Sequence, residues 1–412
     1  MLRVWSLVLF LCLACTGCTV NEVIVAEESE LVVALTPVEE SRLLDIGVVE
    51  FAPGIDAEND PRETGVYEEI RLAETKYLAY HLKTTLQGTG HWGAVRVIPS
   101  RQAFTDIIIS GNIHRSDGEF VEVTVHVEDA AGRRWFDKTY EAQTGVTSYS
   151  DRRDRRLDPY QKIFNDIAND LQSFAGQLPP KQLRQTRQIS ELKFFVDMSP
   201  LAYGQHLAED ENGIATVVRL PADNDPTVAR LRQIRERDRL VVDTLNEHYA
   251  NFYYGIAIPY RNWRKVSRQE SVAYRQVKRS ARIQTLVGVV VMAGSLAVDT
   301  DNSSSSRQRR VNRGLQNLGI SEGFNRIIGG IQRSSEADQH VLAIGELSES
   351  FGAQAAPMVV SVEGQERRLT GTAQAQYESW RRLLKEIYQA ETGFTQTVDV
   401  GVPARANENA AQ

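Results

Sequence analysis

The stretch Val121-Glu122-Val123-Thr124-Val125-His126-Val127-Glu128 alternates aliphatic with polar residues, the pattern of a β-strand with one face on a core and the other in water. The turn residues Asp129-Ala130-Ala131-Gly132 follow, and Arg134–Glu141 reads as the second strand of a hairpin, with Trp135 or Phe136 facing the core according to register. Upstream, Ile107–Ile113, Ala94–Ile98 and the buried run Gly47-Val48-Val49-Glu50-Phe51 read as three more strands. A helix from about Glu68 to Leu86 lies between the last two; it carries Tyr77/Leu78, His81/Leu82 and Thr85/Leu86 at four-residue spacing and stops at Gly88-Thr89-Gly90. Asp158-Pro159 starts another, with Tyr160, Ile163, Phe164, Ile167, Leu171 and Phe174 on one face. The order β-α-β-β-β-β-α over residues 46–176 predicts a two-layer α/β domain, a sheet covered on one side by two helices, within an α+β chain.

After Pro179-Pro180 the chain turns helical and rich in Arg, Gln and Glu, and residues 181–282 read as a helical region. One helix is expected over 181–198, then an irregular segment over 199–225. Asn224-Asp225-Pro226 caps a longer helix to about Tyr254, and another runs from Tyr260 to about Ala281. Residues 283–331 are set apart. Ile283–Val298 is nearly uncharged but shorter than the roughly 20 residues of a transmembrane helix. A Ser-rich linker and the basic cluster Arg307, Arg309, Arg310 and Arg313 follow, and then a small-residue segment. Gly288, Gly294, Gly319, Gly323, Gly329 and Gly330 mark these segments for close helix packing or oligomerisation, Gly319 and Gly323 as a GxxxG pair. Residues 332–393 read as a C-terminal unit with strands at Met358–Val362 and Arg368–Gly371. A helix there bears Tyr377, Trp380, Leu383, Leu384, Ile387 and Tyr388 on one face, and residues 394–412 form a frayed tail.

The chain has 412 residues and a formal net charge of -7, enough length for two or three domains and a balance that argues against nucleic-acid binding. Its beginning is more specific. Arg3, the apolar run Val4–Ala14 and the ending Thr16-Gly17-Cys18 have the layout of a signal peptide over residues 1–17 closing in a lipobox, which makes Cys18 the expected lipid attachment. Cys15, after Leu13-Ala14, is a second possible site. All three cysteines, Cys12, Cys15 and Cys18, lie in this stretch, so the exported chain has neither a disulfide nor a thiolate metal cluster. Acyl chains at about 0.8 kcal/mol per buried methylene hold a soluble body to a membrane. Thr19 takes the place of the Asp that marks inner-membrane retention, which favours the periplasmic face of the outer membrane. Residues 18–45 then read as a tether.

Signals for chemistry are sparse. Gly319-Ile320-Ser321-Glu322-Gly323 matches G-x-S-x-G, with Asp338 and His340 downstream, but an esterase elbow needs a strand before the serine, and Leu315–Leu318 is polar and helical in character. The histidines at 81, 91, 114, 126, 206, 248 and 340 form no HExxH or H-x-H pair, no P-loop or G-x-G-x-x-G follows a strand, and Glu50, Asp56 and Glu58 are scattered carboxylates. The expectation is therefore no catalytic residues, no metal and no cofactor. The runs Arg152–Arg156 and Arg307–Arg313 read as solvated linker and as a membrane-surface element respectively.

Over residues 46–176 the succession GVVEF, GTGHWGAVRVIP, TDIIISGNI, VEVTVHVEDAAGRRWFDKTY and a closing helix resembles the α/β periplasmic domain of the curli-secretion-channel and penicillin-binding-protein-activator lipoproteins. The resemblance covers about a third of the chain and lies in element order. It implies a proteobacterial outer-membrane lipoprotein, a non-enzymatic scaffold or assembly factor that binds an envelope protein or forms a homo-oligomer. The alternatives are an export-pore or gating component that inserts residues 283–331 in the membrane, and a periplasmic hydrolase using Ser321.

Overall fold

The computed structural model describes residues 28–55, 67–101, 104–145, 147–150, 152, 157–222, 224–296, 346, 358–362 and 365–392. The alternating stretch Val121–Glu128 lies in β4 (Phe120–Asp129), hydrogen-bonded between β3 (Ile107–Ser116) and β5 (Arg134–Gln143), both antiparallel to it. On the far side of β3, β1 (Ile46–Val49) pairs in parallel, and β2 (Val95–Ile98) pairs in parallel beyond that, giving the order β2-β1-β3-β4-β5. Val121, Val123, Val125 and Val127 are all at most 1% exposed. Glu122, Thr124, His126 and Glu128 turn to the opposite, polar face, where Thr124 Oγ1 meets Thr139 Oγ1 at 2.8 Å.

Helices α1 (Glu68–Thr89) and α2 (Gln161–Gln177) cover the apolar face, as the sequence order implied. The four-residue pairs on α1 are explained by burial on two sides. Leu78, Leu82 and Leu86 are fully buried, and Tyr77, His81 and Thr85 are buried as well, because α1 is wedged between the sheet, α2 and a later helix. Gly90, at φ 69°, ends α1 in the left-handed conformation that a side chain resists. Trp135 and Tyr140 are both buried because the β4–β5 register shifts between Val127 and Glu128; Trp135 stacks on Phe174 at 5.1 Å. Phe51 lies over Gly111, where a Cβ would sit 2.7 Å from its ring.

Beyond α2 come α3 (Pro180–Met198), the short α4 (Pro200–Tyr203) and a small hairpin, β6 (Leu207–Glu209) with β7 (Ala215–Val217), which puts order into a segment expected to be irregular. Asp210 Oδ1 holds its turn by accepting from the amides of Asn212 and Ile214.

The largest departure from expectation is α5 (Pro226–Leu296), one helix of 71 residues where two were expected. Asp225 Oδ1 accepts from Thr227 N at 2.8 Å and caps it, as its sequence promised. Pro259 lies inside and does not divide it. A helix-interior proline costs about 3 kcal/mol, and burial of Phe252, Ile256, Tyr260 and Trp263 on either side outweighs that cost. Asn246 Oδ1 on α5 accepts from Val97 N at 3.0 Å and Asp243 pairs with Arg96, so the helix closes the β2 edge of the sheet.

At the C-terminal end, β8 (Met358–Val362) pairs with β9 (Gln365–Leu369). The second strand thus starts at Gln365 rather than Arg368. It ends before Gly371, whose φ of 100° turns the chain into α6 (Ala373–Thr392). Tyr377, Trp380, Leu384, Ile387 and Tyr388 of α6 are buried, and α6 packs on α5. One apolar cluster runs from Leu44 through β4, α2, α3 and α5 to Tyr388, so the α/β domain, the helical region and the C-terminal helix share a core.

Of the residues expected to form a tether, 18–27 lie outside the described residues, and Ser29–Ala34 lie against α2 and the end of α1. Asn169 Nδ2 donates to Glu30 O at 2.8 Å and its Oδ1 accepts from Val32 N at 2.9 Å; Asn165 Nδ2 donates to Ser29 O, and Ala34 N to Thr89 O. The two asparagines, one helical turn apart on α2, hold the strap as a neighbouring strand would.

Candidate functional site

The strongest concentration of buried polar groups lies where α1, the β3–β4 turn, the start of α2 and α5 converge. Asp158, just before α2, and Arg264, on α5, form a two-pronged pair at 2.8 Å on each arm, with side chains 3% and 1% exposed. Tyr77 donates its hydroxyl to Asp158 Oδ2 at 2.8 Å, and the Arg264 guanidinium lies over the rings of Tyr260 at 4.1 Å and Tyr160 at 4.8 Å. The neighbouring guanidinium holds the Asp158 carboxyl well below the usual carboxylate range, although burial opposes this. Asp158 Oδ1 also accepts from Tyr160 N and so caps α2.

A second centre sits one turn back on α1. Glu74 Oε1 accepts from Ser116 Oγ at 2.5 Å and from Tyr260 OH at 2.6 Å, and Arg71 Nε lies 3.0 Å from Glu74 Oε2. Burial pushes the Glu74 carboxyl up despite these partners. His81 completes the cluster. Its Nδ1 meets Tyr253 OH at 2.7 Å and its Nε2 meets Gln161 Oε1 at 2.8 Å. Gln161 offers an oxygen there, because its amide nitrogen is spent on Asn165 Oδ1 and Thr85 Oγ1. His81 therefore donates from Nε2, accepts at Nδ1 and stays neutral; burial lowers its pKa.

The β3–β4 turn closes this assembly. Gly118, at φ 80°, presses on α5 so closely that a Cβ would lie 2.2 Å from Arg264 O. Its amide donates to Tyr160 OH, its carbonyl accepts from Tyr149 OH, and Ser267 Oγ donates to Asp117 O at 2.9 Å. These bonds all turn inward. The arrangement ties α5 to the β3–β4 turn and to the start of α2.

Of the residues singled out from the sequence, His81 belongs to this cluster. Cys18, Ser321, Gly319, Gly323, Gly329 and Gly330 lie outside the described residues. Gly288 and Gly294 belong to the last turns of α5. Glu50 accepts from Tyr249 OH at 2.7 Å, and Asp56 and Glu58 lie outside the described residues. Among the described residues no group of three His, Cys, Asp or Glu side chains is placed to hold a metal ion, and no helix is long and apolar enough to cross a membrane. Sequence reasoning missed the Asp158–Arg264 pair. The available signal was the aromatic density of Tyr249, Phe252, Tyr253, Tyr254, Tyr260 and Trp263 around one arginine, which a merely amphipathic surface helix does not need. No protein-family model, curated protein or solved structure matches the chain.

Proposed function

We propose that this protein is an outer-membrane lipoprotein, held at the periplasmic face through acylated Cys18. It acts as a non-enzymatic assembly factor that offers the distal part of α5 to an envelope protein or to a second copy of itself. The length of α5 carries this reading. A helix of 71 residues is about 105 Å long at about 1.5 Å per residue, whereas a folded body of roughly 250–300 residues is about 45–50 Å across. Beyond Ser267 the helix continues for about 44 Å and ends in the uncharged stretch Ile283–Leu296, in which Gly288 and Gly294 allow close backbone approach. The strap places Ser29 on α2, so the link back to Cys18 spans at most about 36–40 Å and keeps the body beside the membrane.

The test is membrane fractionation with carbonate extraction of wild type and Cys18→Ala, combined with a photo-cross-linking residue at Leu286. The reading expects membrane-bound wild type, soluble mutant and an adduct of defined mass at Leu286, twice the chain mass for a second copy. A soluble wild type, or no adduct in intact cells, contradicts it. Retention of Cys18→Ala through carbonate moves the reading to insertion of residues 283–331, the export-pore alternative.

A further inference from the structure

A charged cleft of about 330 Å³ opens at the amino-terminal ends of the parallel strands β1 and β3, the opposite end of β3 from the Asp158–Arg264 centre. Its lining holds four guanidiniums, Arg187 of α3 and Arg232, Arg235 and Arg239 of α5, and four carboxylates, among them Asp45 and Asp106, which immediately precede the two strands. Two of the four guanidiniums are neutralised within the cleft. Arg239 pairs with Asp45 at 3.0 Å and Arg232 with Glu191 at 2.8 Å.

The other two are not. Arg235 is only 9% exposed, yet its Nη2 donates to the neutral acceptors Ser190 Oγ (2.7 Å) and Phe104 O (3.3 Å), and its Nε is buried without a partner. Arg187 Nη1 donates to the backbone oxygen of Glu40 at 2.7 Å. Among the described residues neither forms an ion pair. Asp106 accepts from Asp45 N at 2.9 Å, and it acts on Arg235 together with Glu191 and Asp45 only at longer range, without an ion pair at contact distance. A guanidinium held out of water with no carboxylate in contact is incompletely compensated, and an anion entering the cleft supplies that contact.

The geometry points to this cleft as a binding site for a small oxyanion, a carboxylate or a phosphate, taken between Arg187 and Arg235. Planar guanidiniums suit such groups because they give two parallel hydrogen bonds. The site is independent of the assembly role proposed above.

Calorimetric titration of the exported chain carrying Cys18→Ala, at constant ionic strength in chloride, tests it with sodium succinate and with inorganic phosphate as probes. Saturable one-site binding of at least one probe is expected, and the stronger of the two identifies the anion's source. Arg187→Gln, a change at a partly exposed residue that leaves the core intact, is expected to weaken that affinity at least tenfold. Arg134→Gln removes the same charge on the open sheet face and is expected to leave affinity unchanged. Absence of saturable heat with both probes overturns the assignment, as does an equal loss in the two variants.

Discussion

Replacing Asp158 by Asn removes one charge from a pair that water does not reach, since the Asp158 and Arg264 side chains are 3% and 1% exposed. The amide keeps the oxygen that caps Tyr160 N, so the helix start survives, but it leaves Arg264 buried without a counter-ion and places an NH2 against Tyr77 OH or Arg264 itself. Breaking a buried pair from one side costs about 3–5 kcal/mol, which at about 2 °C per kcal/mol for a chain of this size lowers Tm by roughly 6–10 °C. Glu128→Gln is the matched control, because its partner Arg101 is 52% exposed and such surface pairs are worth at most about 1 kcal/mol. Urea and thermal unfolding of the Cys18→Ala chain, followed by circular dichroism, measure both. The double variant Asp158→Asn/Arg264→Met, which has no orphan charge, is expected to recover part of the loss. If Asp158→Asn costs no more than Glu128→Gln, the pair does not hold α5 and the reasoning fails.

Three further outcomes follow from the same centre and from the strap. His81 has a folded pKa below its unfolded value near 6.5, so the unfolded chain binds the extra proton and stability falls as pH drops from about 7 towards the folded pKa. Unfolding free energies of His81→Asn between pH 7 and 5 are expected to show a flatter slope than wild type, and an identical slope refutes the assignment. Gly118→Ala combines a φ of 80° with a Cβ 2.2 Å from a backbone oxygen, and a loss above about 2 kcal/mol in urea is expected; a neutral result would mean that the turn does not bear on α5. Asn169→Ala removes both bonds to the strap, at about 1 kcal/mol each, and the Val32 amide is expected to exchange hydrogen about tenfold faster or more, while an unchanged rate shows that the strap is held by something else.

Much of the sheet was legible because its physics is local. The valines at 121, 123, 125 and 127 announce a strand with one buried face, and Gly132 and Gly90 stand where the backbone must turn left-handed. The long-range centre was not legible. Asp158 reads as an ordinary helix start and Arg264 as one arginine among many; only the fold brings them together across 106 positions. The same limit explains α5. Pro259 is a sound reason to divide a helix when propensity decides, and it loses when the apolar residues at 252, 256, 260 and 263 are all buried in tertiary contacts. The strap misled for a related reason, since Val32 and Val33 remain about half exposed and the asparagines that hold its backbone lie far away in sequence.

The claim that ties these observations together is that α5 is one rigid element, locked into the core at Arg264 and continuing well past it. Cys12, Cys15 and Cys18 are the three cysteines of the sequence, so replacing all three by Ala gives a background in which introduced cysteines carry spin labels cleanly. Labels at Glu247 and Ser280 lie on the same helix, about 50 Å apart at about 1.5 Å per residue. Double electron–electron resonance is expected to give a narrow distribution centred near that distance. A broad distribution, or one centred below about 35 Å, would show that the helix breaks or folds back beyond Arg264 and would contradict the projecting arm on which the proposed function rests.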